Sequence, residues 1–108
     1  MSPVDDNNVW RYYRRVIRSF RNRDARRVFF REGLRRLPGD VQRSAQRKLA
    51  ILHAAESLRD LGVPPGNRLE RLSGDQEGQY SIRFNHQRRV CFHWSEGDAH
   101  DVEIVDYQ

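Results

Sequence analysis

Apolar residues change their spacing partway along this chain. From Asp40 onward Val41, Ala45, Leu49, Leu52 and Ala55 recur at steps of 4, 4, 3 and 3. That spacing puts them on one stripe of an α-helix. Beyond the Pro64-Pro65-Gly66 loop the period drops to two. Tyr80, Ile82 and Phe84 alternate with Ser81 and Arg83. Val90, Phe92 and Trp94 alternate with Arg89, Cys91 and His93, and Val102 and Ile104 alternate with Asp101, Glu103 and Val105. Side chains in strands point to opposite faces in turn, so each run reads as a half-buried strand.

The flanking segments complete the outline. Met1 to Asn8 is polar and carries Pro3, as a loose end does. Val16 to Phe20 reads as a short first strand. Asp24 is the expected cap of a helix that buries Ala25, Val28 and Phe29 and stops at Gly33. Pro38-Gly39-Asp40 is a turn whose Asp40 caps the second helix. Leu69 to Leu72 is a short strand before the Ser73-Gly74-Asp75 turn. The expected fold is a single α+β domain, with two N-terminal helices packed on one face of a small, mostly antiparallel twisted sheet.

Pairing parity sharpens this. For Tyr80, Ile82 and Phe84 to share a face with Val90, Phe92 and Trp94, the connecting loop must hold an odd number of residues. His86-Gln87-Arg88 is the simplest choice, and Glu96-Gly97-Asp98 is the matching three-residue turn further on. This register sends Arg83, Arg89, Cys91, His93 and Tyr107 to the face away from the apolar set. One face packs on the helices. The other is an open strip of cations and hydrogen-bonding groups.

Charge and composition narrow the partner. The 108 residues carry a net charge of +5, and 19 of the 20 basic residues are arginine, Lys48 being the exception. Residues 1–54 hold 14 basic and 5 acidic side chains, whereas residues 55–108 hold 6 and 10. A basic front half suits a polyanion such as RNA, since phosphate contacts release counterions. Genome-wide arginine usage and a solvated helix surface account for the same numbers. Val9-Trp10-Arg11-Tyr12-Tyr13 sets aromatic rings among arginines, which suits stacking on nucleic acid or packing on the sheet.

Other chemistries find little support. The one cysteine, Cys91, lies in an apolar strand and reads as a buried, inert thiol in a reducing compartment. No metal site is expected, because His53, His86, His93 and His100 follow no ligand spacing. No cofactor motif is present, and no apolar run reaches the length of a membrane span. The expected location is the cytoplasm.

The order Leu72-Ser73-Gly74-Asp75, Tyr80-Ser81-Ile82-Arg83, Arg89-Val90-Cys91-Phe92 and Val102-Glu103-Ile104-Val105-Asp106-Tyr107 resembles the sheet half of HigB-like toxins, in the RelE/ParE superfamily. The resemblance runs from about Val16 to the C-terminus. It implies a toxin domain over residues 16–108 and an extension of unknown role over residues 1–15. It also implies a type II toxin: a ribosome-dependent endoribonuclease that cuts mRNA without a metal. The implied partners are a HigA-like helix-turn-helix antitoxin, the 70S ribosome with its mRNA, and operator DNA through the antitoxin complex alone.

Metal-free RNA cleavage needs a base for the 2′-hydroxyl, a cation for the crowded phosphate and an acid for the departing 5′-oxygen. By residue type Arg89 suits either a cross-strand salt bridge to Glu103 or Asp101, or the cation role; the resemblance implies the latter. It also assigns Asp106 and Tyr107 to cleavage. A tyrosine hydroxyl ionises near pH ~10 and is a poor base unless arginines lower that value. Asp106 is the better proton acceptor, although strict alternation places it on the apolar face. Glu70 stands where some family members have histidine, and it serves either as a base or as a partner for Arg68 or Arg71. Arg68, Arg83 and Arg88 are the expected RNA contacts.

Two departures stand out. Gln108 replaces the family's terminal histidine, and Ser73 replaces a lysine. Gln108 cannot shuttle a proton, so Gln108→His is expected to raise activity. The competing readings are a weakly active or non-catalytic protein that binds antitoxin or RNA, a ParE-type gyrase poison, and a plain nucleic-acid-binding module.

Overall fold

The computed structural model describes residues 16–63, 65–72 and 78–106. The expectations for residues 1–15, the Ser73-Gly74-Asp75 turn, Tyr107 and Gln108 lie outside these. Among the described residues, three α-helices precede a sheet: α1 (Arg23–Phe29), α2 (Gly39–Ala54) and α3 (Leu58–Gly62). A 3-10 turn, Pro65–Asn67, leads into β1 (Glu70–Arg71), β2 (Gln79–Arg83), β3 (Arg88–Ser95) and β4 (Asp98–Asp106). The strands form an antiparallel meander in the order β1-β2-β3-β4. The α+β class is as expected, with three helices rather than two.

The helix ends differ in detail from the sequence reading. Asn22, not Asp24, caps α1: its extended backbone lets Oδ1 accept from Ala25 N at 3.0 Å, while Nδ2 donates to the Ile104 carbonyl at 3.1 Å. Asp24 sits in the first turn and pairs with Arg36. At the other end the helix stops before Gly33. Arg31 takes a left-handed backbone (φ 61°), Arg31 N donates to Val28 O, and Glu32 N donates to Arg27 O. This is the Schellman pattern with arginine at the position glycine usually fills.

Helix α2 begins at Gly39 after Pro38, with Asp40 in its first turn rather than as cap. The connection from α1 is fastened by Gln42. Its Oε1 accepts from Leu34 N at 3.0 Å, and its Nε2 donates to the carbonyls of Leu34 and Leu37, both at 2.7 Å. One side chain thus bonds three backbone groups of the connection between α1 and α2.

The predicted stripe of α2 is the buried one: Ala45, Leu49 and Leu52 are fully enclosed. They meet Ala25 and Val28 of α1, Leu61 of α3, and Ile82, Val90, Phe92 and Val102 of the sheet. Burying a large aliphatic or aromatic side chain stabilises by about 1.5–3 kcal/mol, so this cluster is the main source of cohesion. Asn67 is also buried; its Nδ2 donates to Leu61 O at 3.0 Å and its Oδ1 accepts from Lys48 Nζ at 2.5 Å.

Parity holds across β2 and β3, although the loop is shifted. Tyr80 pairs with Phe92 and Ile82 with Val90. The odd loop is Asn85-His86-Gln87 instead of His86-Gln87-Arg88, because Asn85 Oδ1 accepts from Gln87 N and Arg88 N and tightens the turn one residue earlier. Between β3 and β4 the expected three-residue turn is replaced by two residues. Ser95 pairs with Asp98, and Glu96 and Gly97 take φ of 53° and 82°, as a type I′ turn requires.

An even loop alone would aim Val102 and Ile104 at the wrong face. A β-bulge corrects this. Asp101 has φ of 53°, and the pairing steps from His93↔His100 to Cys91↔Glu103, so Phe92 faces two residues of β4. Asp101 N is taken up by Ser19 Oγ at 2.9 Å. Ser19 belongs to the expected first strand, which proves to be an extended segment beside β4. It forms isolated parallel bridges, Ile17↔Ala99 and Phe20↔Val102.

Candidate functional site

The face of the sheet away from the core carries Ser81, Arg83, Arg89, Cys91, His93 and Glu103, as alternation requires. Glu70 joins them because it pairs with Ser81. Its carboxylate is about half exposed and lies 3.8 Å from the Arg89 guanidinium.

Arg89 itself is not an open, solvent-facing cation. It is only 5% exposed. Its Nε donates to Ser81 Oγ at 2.6 Å, and its Nη2 donates to Arg68 O at 2.6 Å and to Ser81 O at 3.3 Å. The cause is the chain leading into β1. Arg68 adopts a left-handed backbone (φ 46°), which presents its carbonyl to Arg89. Among the described residues the salt-bridge partner of Arg89 is Glu70 on the opposite side of β2, not Glu103 or Asp101 on β4. Glu103 instead lies 3.9 Å from Arg21.

Arg83 remains partly exposed on this face. Its guanidinium is held at the β2–β3 turn, with Nε donating to Asn85 O at 3.1 Å and Nη2 3.0 Å from His86 Nδ1. The side chain of Arg68 is exposed. Glu70, Arg83, Arg89 and the Arg68 carbonyl are therefore brought to one side.

Arg88 and Asp106 are not. They pair in regular register, and Arg88 Nε lies 3.0 Å from Asp106 Oδ1. Both line a polar cleft of about 170 Å³ on the helix side, together with Asn22, Asp24, Arg36 and Ile104. The strand end has no irregularity that would bring Asp106 round to Arg89. Of the expected site residues, Tyr107 lies outside the described part.

Cys91 is half-buried beside Glu103, and burial, then that carboxylate, push its thiol up to about 11. The expected inert thiol fits this setting. Gly78 has φ of +86°, and a Cβ there would come within 2.8 Å of the His93 ring, so only glycine fits against that ring. Among the described residues no group of three His, Cys, Asp or Glu side chains is placed to hold a metal ion. Among them, too, no helix is long and apolar enough to cross a membrane.

Ser81 and the Arg68 carbonyl were not expected in the site. Ser81 left a signal: a small hydroxyl in a strand of large residues, on the same face as Arg89. The carbonyl left none, since it depends on a left-handed backbone at a residue other than glycine.

A small antiparallel meander with helices packed on one side is consistent with a RelE-like toxin domain. The family model for the RelE-like toxin HigB of type II toxin–antitoxin systems matches residues 18–108, and the chain belongs to that family. It is 46% identical over 65 residues to Toxin HigB-1 of Vibrio cholerae serotype O1, a match spanning 60% of this chain and 68% of that protein. It is also 31% identical over 69 residues to an uncharacterized protein of Haemophilus influenzae, spanning 64% and 68%. Membership of a type II family implies a protein antitoxin as partner.

Proposed function

We propose that this toxin is an endoribonuclease that cuts mRNA on the ribosome, with Glu70 as the general base. The observation that carries the reading is the Glu70–Arg89 pair. A half-exposed carboxylate stands beside a guanidinium that is itself immobilised by Ser81 and the Arg68 carbonyl. A base must be held within reach of the 2′-hydroxyl in one orientation, and a buried, multiply bonded arginine provides that.

In this mechanism Glu70 accepts the 2′-hydroxyl proton as the oxygen attacks the adjacent phosphorus, the bond from phosphorus to the 5′-oxygen breaks to leave a 2′,3′-cyclic phosphate, and the departing 5′-oxygen takes its proton from solvent water. Arg89 orients Glu70 and supplies positive potential behind the phosphate. Arg83 and the exposed Arg68 side chain bind neighbouring phosphates. Tyr107 positions the scissile phosphate near the departing 5′-oxygen. Asp106 and Arg88 act less directly: their ion pair anchors the strand immediately before Tyr107. The chemistry uses side chains alone, with no metal or cofactor. A helix-turn-helix antitoxin of the HigA kind neutralises the toxin, and the complex reaches operator DNA through the antitoxin.

The enclosure of Arg89 favours a second reading, in which the domain binds antitoxin or RNA without cutting. One experiment separates the two. Purified protein is incubated with ribosomes and mRNA, and new 5′ ends are mapped for the wild type and for Glu70→Gln. Cleavage by the wild type that falls at least about a hundredfold in the variant is the expected result, since positioned bases contribute on that order. Ribosome binding with no new ends supports the second reading, and equal cleavage by both proteins removes Glu70 from the mechanism.

A further inference from the structure

The Arg68 carbonyl that holds Arg89 is itself fastened to the helices. Asn67, the residue before it, is fully buried at the end of the 3-10 turn. Its amide is bonded at both ends: Nδ2 donates to Leu61 O of α3 at 3.0 Å, and Oδ1 accepts from Lys48 Nζ of α2 at 2.5 Å. Lys48 is the one lysine of the chain. It is half-buried, and burial, then the neighbouring Arg47, hold its ammonium below the ordinary lysine value. A partly desolvated cation of this kind is stabilised where it meets a fixed acceptor. The next backbone step is strained. Arg68 takes φ of 46°, which a residue with a side chain keeps only where its surroundings impose it. That step turns the Arg68 carbonyl onto Arg89 Nη2 at 2.6 Å. A line of contacts thus runs from α2 through Asn67 and Arg68 to Arg89, whose guanidinium lies 3.8 Å from the Glu70 carboxylate.

We propose that Lys48 and Asn67 are positioning residues: they fix the turn that sets the Arg68 carbonyl on Arg89, and so hold Arg89 and Glu70 in one geometry. The inference rests on the proposed roles of Glu70 and Arg89. Without Lys48, Asn67 Oδ1 loses a donor in a place closed to water, and the turn relaxes from its left-handed step. Arg89 then loses a group that aligns its Nη2, and the base loses a fixed neighbour. A misplacement of about 1 Å at reacting groups costs on the order of a hundredfold in rate. A contact with phosphate contributes to binding instead. The two roles open to a lysine on a basic helix therefore separate in kinetics. A positioning lysine lowers kcat with KM kept, and a phosphate-binding lysine sets KM with kcat kept.

The test uses the full chain. Hydrogen exchange at Arg89 Nε–H, identified by its absence in Arg89→Lys, is followed by NMR beside kcat and KM for mRNA on ribosomes. In Lys48→Met we expect exchange faster by about tenfold or more. We expect kcat lower by roughly tenfold to a hundredfold, with KM within error of wild type. Asn67→Ser, too short to join Lys48 to Leu61 O, should match Lys48→Met. Lys48→Arg, which restores a cationic donor, should recover both exchange and kcat. If Lys48→Met does not fold, Lys48→Gln, neutral and shorter than lysine, decides in its place. Unchanged exchange at Arg89 overturns the proposal whether or not the protein cuts RNA. So does faster exchange with kcat unchanged, and so does a raised KM at constant kcat, which assigns Lys48 to phosphate contact. A wild type that makes no new 5′ ends removes the roles given to Glu70 and Arg89, and the exchange measurement then still decides whether Lys48 and Asn67 fix Arg89.

Discussion

The Glu70 carboxylate and the Arg89 guanidinium meet at 3.8 Å from opposite sides of β2, one half exposed and the other enclosed. Their difference in burial separates two effects that mutation usually mixes. Arg89→Ala removes a buried cation and strands Ser81 Oγ and the Arg68 carbonyl. Leaving such groups unpaired costs on the order of 3 kcal/mol. Glu70→Gln keeps the shape of an exposed side chain and should cost under about 1 kcal/mol. Urea titration of both variants beside a cleavage assay checks this. Arg89→Ala should lose stability and activity together, whereas Glu70→Gln should lose activity alone.

Gln42 offers a test of the helical half. Its amide serves Leu34 N, Leu34 O and Leu37 O, all part-buried. Gln42→Ala should destabilise by about 1–3 kcal/mol, while Gln42→Glu, which keeps the acceptor and loses the donor, should be nearly as costly. Thermal melts of the two variants make the comparison, and a loss below about 0.5 kcal/mol would count against the fastening role.

A stabilising change is expected at Arg31. Its left-handed backbone carries a steric cost that glycine avoids. Arg31→Gly should gain roughly 0.5–1 kcal/mol, reduced from the full steric cost by the extra freedom of glycine in the unfolded chain. Equal or lower stability in denaturant titration would mean that the arginine side chain makes up the difference.

Cys91 predicts an alkaline limb in the stability curve. Burial, then Glu103, raise the folded thiol from 9.0 to about 11. The unfolded thiol ionises first as pH rises, so the unfolded state gains. The contribution is therefore fully present below pH 9.0 and is lost as pH climbs toward about 11. Cys91→Ala should flatten that limb relative to wild type. Alkylation of the native protein near neutral pH should be slow, and rapid labelling there would contradict the raised value.

Much of the fold was legible because period-two and helical spacing are direct consequences of burial. Ile82, Val90, Phe92 and Val102 were assigned to one face from alternation alone, and they are the buried face. What escaped was set by individual hydrogen bonds. Asn85 moved one turn by a residue, and a two-residue turn with a bulge at Asp101 achieved what an odd loop was expected to do. The site was legible as a face but not as an environment. Alternation placed Arg89, Arg83 and Cys91 together and put Asp106 on the other side. It carried no information on the Arg68 carbonyl that closes over Arg89, since that depends on one residue's positive φ.

The parallel bridges Ile17↔Ala99 and Phe20↔Val102 join segments more than 80 positions apart. The outermost lane of the sheet therefore has nothing to bind until β4 has been synthesised and has left the ribosomal tunnel. Closure of the domain is a late, long-range event, with the slow kinetics that distant contacts impose. A nascent chain interrupted before β4 would lose both lanes at once and leave the apolar faces of the helices and of β3 without the strand that completes their cover.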